Sequence, residues 1–471
     1  MMRHAGFLPP LAGLALLSGC ATYHPAPLDP DEHRVAFNRR GADDSLFREF
    51  LVATGDDTTL YSWQPSTLAL ATLFYQSAIA EARGRYFTAQ AGEITAGARP
   101  RVGVTGAADV DLGSATDTSP WGAILGGTFT LELGGKRAAR QAAARARSLQ
   151  AEAALQDTAW QLVRVTRERA LGVVAAKRAW ADDSTELSLL DSLVPMVEAR
   201  YRDGAISQAE MARIRSDVQS AAVSIAAGGS AFRAAEAEAA TAAALPLSAL
   251  RALPVMGEAG QGCGPLAELT RDSLQILALG ARWSVLDALA GYQAAEGDLR
   301  LEIAKQRPDL QLSPGLIFDH GITRFLVAFQ MPALPGGNQG PIAEAEARRL
   351  TQASRVAAVQ EEVLGEVEGA RDACASALLS LAATDSLSAA ALAEEALTLD
   401  AYSRGERGLA DLTLARLGRV RAGRARRSAE YQLALSRARL EGAAGKWMSA
   451  PPTRWPDLLV DPATPDRKET K

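Results

Sequence analysis

Reactive side chains are scarce in this 471-residue sequence, and their spacing argues against catalysis. The four histidines are His4, His24, His33 and His320, and none stands at metal-ligand spacing from a second His or a Cys. At most His24 and His33 offer weak metal binding. No G-x-S-x-G, phosphate-binding loop, H-E-x-x-H or dinucleotide fingerprint occurs in a usable context, so no enzyme, no cofactor and no metal site are expected. The notable charged and aromatic groups gather instead at two glycines. Arg200 to Met211 reads R-Y-R-D-G-A-I-S-Q-A-E-M, and Ala401 to Ala415 reads A-Y-S-R-G-E-R-G-L-A-D-L-T-L-A. Tyr201 matches Tyr402, Gly204 matches Gly405, Glu210 matches Asp411 and Met211 matches Leu412. The chemistry on offer there is electrostatic. Arg407 beside Asp411 or Glu210 is worth about 0–1 kcal/mol as a solvated pair, and more where like charges crowd a narrow opening.

Long helices must position these turns. Lys136 to about Asp203 reads as one helix, roughly 100 Å at 1.5 Å per residue, with Leu155 and Leu162 a heptad apart and many alanines between. Pro195 is expected to bend its last turns. The chain turns at Gly204 and returns from about Ser207 to Leu245. A second such hairpin starts at Pro341, runs to about Ser403 with Val356, Val359, Val363 and Val367 at three-four spacing, turns at Gly405 and returns to about Gly445. Ahead of each hairpin the period changes to two. Arg101 to Thr105 and Thr128 to Leu133 alternate around a polar loop, with Phe129, Leu131 and Leu133 on one face. Pro308 to Phe318 and Phe325 to Met331 do the same around Asp319-His320-Gly321. Helical stretches over 67–96 and 266–306 precede these strands. Gly135 and Gly336 keep the spacing of Gly204 and Gly405, so the sequence is an internal duplication.

Composition agrees with packed helices. Aromatics are 6%, and 50 Lys+Arg against 55 Asp+Glu leave no basic field for nucleic acid. After the N-terminal run Ala5 to Leu17, too short to span a bilayer, no window of about eighteen unbroken apolar residues follows. A membrane-crossing part must therefore be a closed barrel of strands. Residues 21–66, rich in Pro, Asp and His, read as an extended segment along the surface, and 449–471 as a loose tail.

Two resemblances add to this. Leu17-Ser18-Gly19-Cys20 is similar to the lipobox of bacterial lipoproteins, which implies cleavage before Cys20 and acylation of its thiol, with Ala21 favouring the outer membrane. Strand, strand, long helix, glycine turn and returning helix, done twice over about 20–447, resembles the TolC-like outer-membrane efflux proteins. Q-R-P-D-L at 306–310, G-A-I-S-Q-A-E at 204–210 and M-P-A-L-P-G-G-N-Q-G-P-I-A-E-A-E-A-R at 331–348 look most like the outer-membrane components of cobalt–zinc–cadmium resistance systems. The resemblance implies a mainly α fold with a small β part, in a homotrimer whose strands close a twelve-stranded barrel continued by a periplasmic helical barrel. It implies docking at the far end to a periplasmic adaptor and, through it, to an inner-membrane RND transporter. The implied organisation is signal peptide 1–19, lipidated lead segment 20–66, first repeat 67–250, connector 251–265, second repeat 266–447 and flexible tail 448–471.

The implied gate is Tyr402, Arg407, Asp411 and Glu210. Where some relatives carry a further acid, this chain has Leu414. Adaptor docking would fall on Tyr201, Arg202, Gly204, Ser207, Arg404 and Gly405. Cys263 and Cys374, in an oxidising periplasm, are either bridged or buried separately as small hydrophobes. Two other readings remain at this point, a duct for type I protein secretion or drug efflux, and a pore-less structural coiled-coil lipoprotein.

Overall fold

A computed structural model describes residues 23–54, 60–110, 112, 120–257, 262–319, 321–331 and 337–446. Cys20, the signal peptide 1–19, His320, Gly336 and the tail 448–471 lie outside the described residues. The lead segment is not extended as expected. It forms α1 (Pro30–Asn38) and α2 (Ser45–Thr54). Phe47, Phe50 and Leu51, at helical i, i+3, i+4 spacing, turn into a core that also buries Trp63 completely. The pattern fills barely three turns, too few to stand out against the surrounding Pro and Asp.

The expected helix over 67–96 divides into α3 (Pro65–Tyr75) and α4 (Ser77–Gly97), and the one over 266–306 into α8 (Arg271–Ala281) and α9 (Trp283–Ala304). Between the two pairs run α5 (Lys136–Arg202), α6 (Gln208–Ala242) and the short α7 (Leu247–Arg251). The hairpin α10 (Gln339–Ser403) and α11 (Leu409–Ala444) ends the described chain. Both breaks have one cause. Gln76 and Arg282 adopt extended backbone at the junctions, and each side chain reaches the open carbonyls at the end of a returning helix. Gln76 Nε2 donates to Ala242 O at 2.8 Å, and Arg282 Nη1 donates to Ala443 O at 3.2 Å. Helix ends left without such partners are costly when buried.

The two returning helices also close alike. Leu245 N–H donates to Ala240 O and Ala244 N–H to Thr241 O, while Lys446 N–H donates to Glu441 O and Gly445 N–H to Gly442 O. This is the Schellman closure, which needs a left-handed residue. Gly445 supplies it at φ 68°, but its counterpart is Ala244 at φ 53°. A left-handed alanine costs about 1–2 kcal/mol, whereas glycine costs about 0.5–1 kcal/mol in chain entropy. Ala244→Gly is therefore expected to raise the unfolding midpoint, by about 0.5–1 kcal/mol per chain, as chemical denaturation measures. A midpoint that falls refutes the strain.

The long helices run side by side in the order α6, α5, α11, α10, with α4 and α9 against α5 and with α8 and α9 against α10. α5 continues through Pro195 without a break in the helix. The four strands, β1 (Gly103–Val110), β2 (Trp121–Leu131), β3 (Leu310–Asp319) and β4 (Ile322–Gln330), form one antiparallel sheet in chain order. Register places Phe129 beside Leu312 and Leu312 beside Phe329, and sets Leu125, Leu316 and Phe325 in a row four residues further along the same face, with Pro314 and Val327 paired between them. Since alternate residues share a face, one face is apolar from edge to edge. The other carries Thr130, Gln311 and Gln330 in one row. The apolar face is uncovered: Phe325 is 69% and Phe329 77% exposed.

Cys263 and Cys374 are bonded, with a Cα–Cα distance of 6.0 Å. The bond ties the connector to the middle of α10, within a cluster of Leu274, Val363, Val367 and Leu440. Of the two readings the sequence left open, the structure has the bridge.

Candidate functional site

The two hairpin tips are built by the same local rules. After α5, Ala205 N–H donates to Arg200 O and Gly204 N–H to Tyr201 O; after α10, Glu406 N–H donates to Ala401 O and Gly405 N–H to Tyr402 O. Gly204 at φ 70° and Gly405 at φ 76° take the left-handed place that this reversal requires. Each returning helix then starts three residues ahead of an acid. Ser207 Oγ accepts from Glu210 N–H at 3.2 Å, and Glu210 Oε2 accepts from Ser207 N–H at 2.8 Å, a full capping box. On the other tip Asp411 Oδ2 accepts from Gly408 N–H at 3.1 Å, and glycine has no side chain to complete the box. Met211 and Leu412, one residue later, are both buried and pin the tips to the hairpin interior.

The structure thus gives the expected gate acids a local role. Within one chain Arg407 meets neither Asp411 nor Glu210, and among the described residues it forms no ion pair. Arg404, in contrast, bonds Asp400 and lies 2.8 Å from Glu406. Tyr201 is 43% and Tyr402 39% exposed. Arg202, Gly204, Ser207, Arg404 and Gly405 are exposed as well, so both tips present their polar groups outward. Among the described residues no group of three His, Cys, Asp or Glu gathers to hold a metal.

Hydrogen bonds from the Ser207 backbone and hydroxyl hold the Glu210 carboxyl below its ordinary value of 4.5. A depressed carboxyl contributes stability that is present above the unfolded value and lost as pH falls through the folded one. Amide exchange at 205–211 is therefore expected to accelerate below about pH 4.5, and Ser207→Ala to produce the same acceleration at neutral pH. Protection that is flat across that range, or indifferent to Ser207→Ala, rules out the box as a determinant of tip order.

Sequence reasoning missed the ion pairs that join the two hairpins. Arg421 Nε lies 2.7 Å from Glu186, Arg424 Nη1 2.5 Å from Asp183, and Arg427 makes bonds of 2.6 and 2.8 Å to both oxygens of Asp182. These pairs link α11 of the second repeat to α5 of the first. The available signal was the three-residue rhythm Arg421, Arg424, Arg427, one turn apart on a single helical face. Below them Leu190, Leu193, Ala410 and Leu417 pack together. The second hairpin is thus held to the first through α11, while α10 stays an open flank. Among the described residues α10 is the one helix long and apolar enough to cross a membrane by length and composition, although Asp385 stands near its middle, and Leu379 is 75% and Leu397 71% exposed.

The fold has close counterparts among solved structures. The chain superposes on CusC, described through its transmembrane channel formation, with a TM-score of 0.64 and 17% identity, covering 82% of this chain and 92% of that one. It superposes on the outer membrane protein VceC of Vibrio cholerae with a TM-score of 0.65 and 17% identity, covering 81% and 96%. The outer membrane channel CmeC of Campylobacter jejuni gives 0.65 and 13%, covering 94% and 98%. Neither a protein-family model nor a curated protein matches the sequence. At these identities the comparison establishes a shared fold, that of outer-membrane channels.

Proposed function

We propose that the chain is one protomer of a homotrimeric outer-membrane exit duct in a tripartite efflux pump. The observation that carries this reading is the sheet. It has an apolar face running edge to edge, a second face on which Thr130, Gln311, Gln330 and Arg324 stand among Ile124, Ile317 and Leu326, and two edges, β1 and β4, with no partner among the described residues. Open edges are not tolerated inside a bilayer. Three copies would close twelve strands, lipid outside and water inside, and the exposed flank of α10 would then pack against a neighbouring copy. Below the barrel the hairpins would continue the lumen for about 100 Å. The duct itself would be passive, with no catalysis and no cofactor.

In this reading Cys20 carries the lipid anchor, and the barrel supplies the firm membrane seat that an acyl chain alone does not. The tips, through Tyr201, Arg202, Gly204, Ser207, Arg404 and Gly405, dock a periplasmic adaptor, and through it an inner-membrane RND transporter. Tyr402, Arg407, Asp411 and Glu210 form the aperture. Arg407, without an ion pair among the described residues of its own chain, is then available to an acid of a neighbouring protomer. Heavy-metal export is the substrate class that the 331–348 run favours.

Single-channel conductance in planar bilayers tests this. Wild-type protein is expected to give small, stable steps, and Arg407→Ala steps larger by about twofold or more, the order expected when a threefold set of charge-assisted contacts is lost. Asp411→Asn is the matched variant. Its amide oxygen can still cap Gly408 while the charge is gone, so growth in this variant isolates the ionic role. Unchanged steps in both variants return these residues to solvated surface charges. Absence of conductance from folded, inserted protein overturns the duct.

A further inference from the structure

Asp157 of α5 is an acid whose charged neighbours are engaged elsewhere. It faces Arg282 at the α8–α9 junction, Asp287 of α9, and Gln161 and Arg164 on its own helix. Arg282 is 4% exposed. Its Nη1 donates to Glu366 of α10 at 2.7 Å and to the carbonyls of Gly442 and Ala443 at 3.4 and 3.2 Å. Arg164 stands 3.9 Å from Glu366, and its stem crosses Gly442, where a Cβ would lie 2.7 Å from its Cδ. Arg355 of α10 lies 3.0 Å from Asp287. Glu441, in the last turn of α11, is held by Arg167 and Arg437.

Asp157 is left over. It has no ion pair among the described residues, and its Oδ1 is buried there without a hydrogen-bond partner. The Nε atoms of Arg164 and Arg282 are buried without an acceptor as well, so neither donor reaches the carboxyl. A carboxylate so placed is costlier than its neutral form. Burial accordingly outweighs the pull of Arg282, Gln161 and Arg164 and raises the Asp157 carboxyl above its ordinary value of 3.8, with Asp287 adding to the rise. The place is also a boundary, because α5 belongs to the first repeat and α9 and α10 to the second. α5 packs against α9 as extensively as against its own hairpin partner α6, so a charge left over in this seam acts on the main contact between the repeats.

We propose that Asp157 makes the contact between the two repeats sensitive to pH: taking up a proton tightens the seam of α5 against α9, and losing it loosens the seam. The sign follows from linkage. A carboxyl raised on folding holds its proton more tightly in the folded chain, so the stability it brings is present at low pH and lost as pH rises through the folded value. At Glu210 the order is reversed, and acid that loosens the first tip tightens the seam between the repeats. Since one chain suffices, none of this depends on the duct reading.

The test compares full-length wild type with Asp157→Asn, whose neutral amide keeps the shape of the protonated acid. At about pH 7.5 the variant is expected to unfold at the higher denaturant concentration, and the gap to narrow as pH falls to about 4.5. Acids elsewhere titrate alike in both chains and cancel from this difference. A variant less stable than wild type at the higher pH would make Asp157 a counter-ion of Arg282 and overturns the proposal, as does a gap of the same size at both pH values. Amide protection at 284–288, corrected for the intrinsic rate, supplies a local readout. It is expected to rise in wild type as pH falls and to stay high and flat in Asp157→Asn; protection that changes alike in both chains overturns the proposal.

Discussion

Cys374→Ala is expected to destabilise each chain by about 4–5 kcal/mol. The bond it removes closes a loop of 111 residues, and in the chain-entropy account a loop near that length is worth about 4.7 kcal/mol at 25 °C. The loop holds α8, α9, the β3–β4 hairpin and the first half of α10, which is the whole strand-bearing part of the second repeat. The two sulfurs sit among Leu274, Val363, Val367 and Leu440, so the cluster alone keeps the native arrangement available after the bond is lost. This makes reduction of the wild-type protein a clean control. Denaturant midpoints of oxidised, reduced and Cys374→Ala protein should show reduced and mutant forms together, both far below the oxidised one. A shift under about 1 kcal/mol in the reduced protein would show that packing, not the covalent tie, holds the connector to α10.

The consequence of that tie lies along α10. Arg271–Glu368, Arg282–Glu366 and Arg355–Asp287 bind α10 to α8 and α9 on the sheet side of Cys374. Beyond it, α10 bonds α11 through Glu395 and Asp385. The tip half of the second hairpin is therefore held to the first repeat through α11 and the arginine ladder on Asp182, Asp183 and Glu186. A motion that widens the proposed aperture must strain that ladder or move both repeats together.

Much of this was legible in the sequence because it is periodic. The 65- and 67-residue helices, the tip glycines and the alternating strands each repeat a local rule many times, and the duplication repeats it again. The sheet face could be read from Phe129, Leu312 and Phe329 before the register was known. What escaped was short or non-local. α2 fills barely three turns. The breaks at Gln76 and Arg282 depend on carbonyls more than 150 residues away. The disulfide joins residues whose separation says nothing about proximity. The tip acids show a different limit: Glu210 and Asp411 were found as charges, but their nearest partners are the backbone N–H groups of Ser207 and Gly408. Charge type alone does not tell a cap from a gate.

The second large effect is expected at Glu441. Its side chain is 1% exposed and lies 2.5 Å from Arg167, itself 4% exposed. Glu441 stands in the last turn of α11, where the helix dipole disfavours a negative charge, and the surroundings answer with cations. Arg437 reaches its other oxygen at 3.1 Å, Arg282 donates to the carbonyls of Gly442 and Ala443, and the Trp160 indole N–H donates to Gly442 O at 3.2 Å. Glu441→Gln keeps the shape and removes the charge, leaving the Arg167 guanidinium buried without its carboxylate. Breaking one side of a buried pair costs about 3–5 kcal/mol, whereas replacing both sides with apolar groups is often near neutral. The double variant Arg167→Met/Glu441→Leu is therefore expected to recover most of the loss, because Arg437 is 22% exposed and can turn to solvent. Unfolding midpoints of Glu441→Gln and of the double variant separate the outcomes. If the double variant loses as much as Glu441→Gln, the Arg167–Glu441 pair itself supplies stability that apolar packing at this place does not replace. If it recovers, the pair serves to fix register between α5 and α11, and a chain carrying the apolar replacement should stay folded while its two repeats slide more easily past each other, visible as faster exchange at Asp182–Glu186.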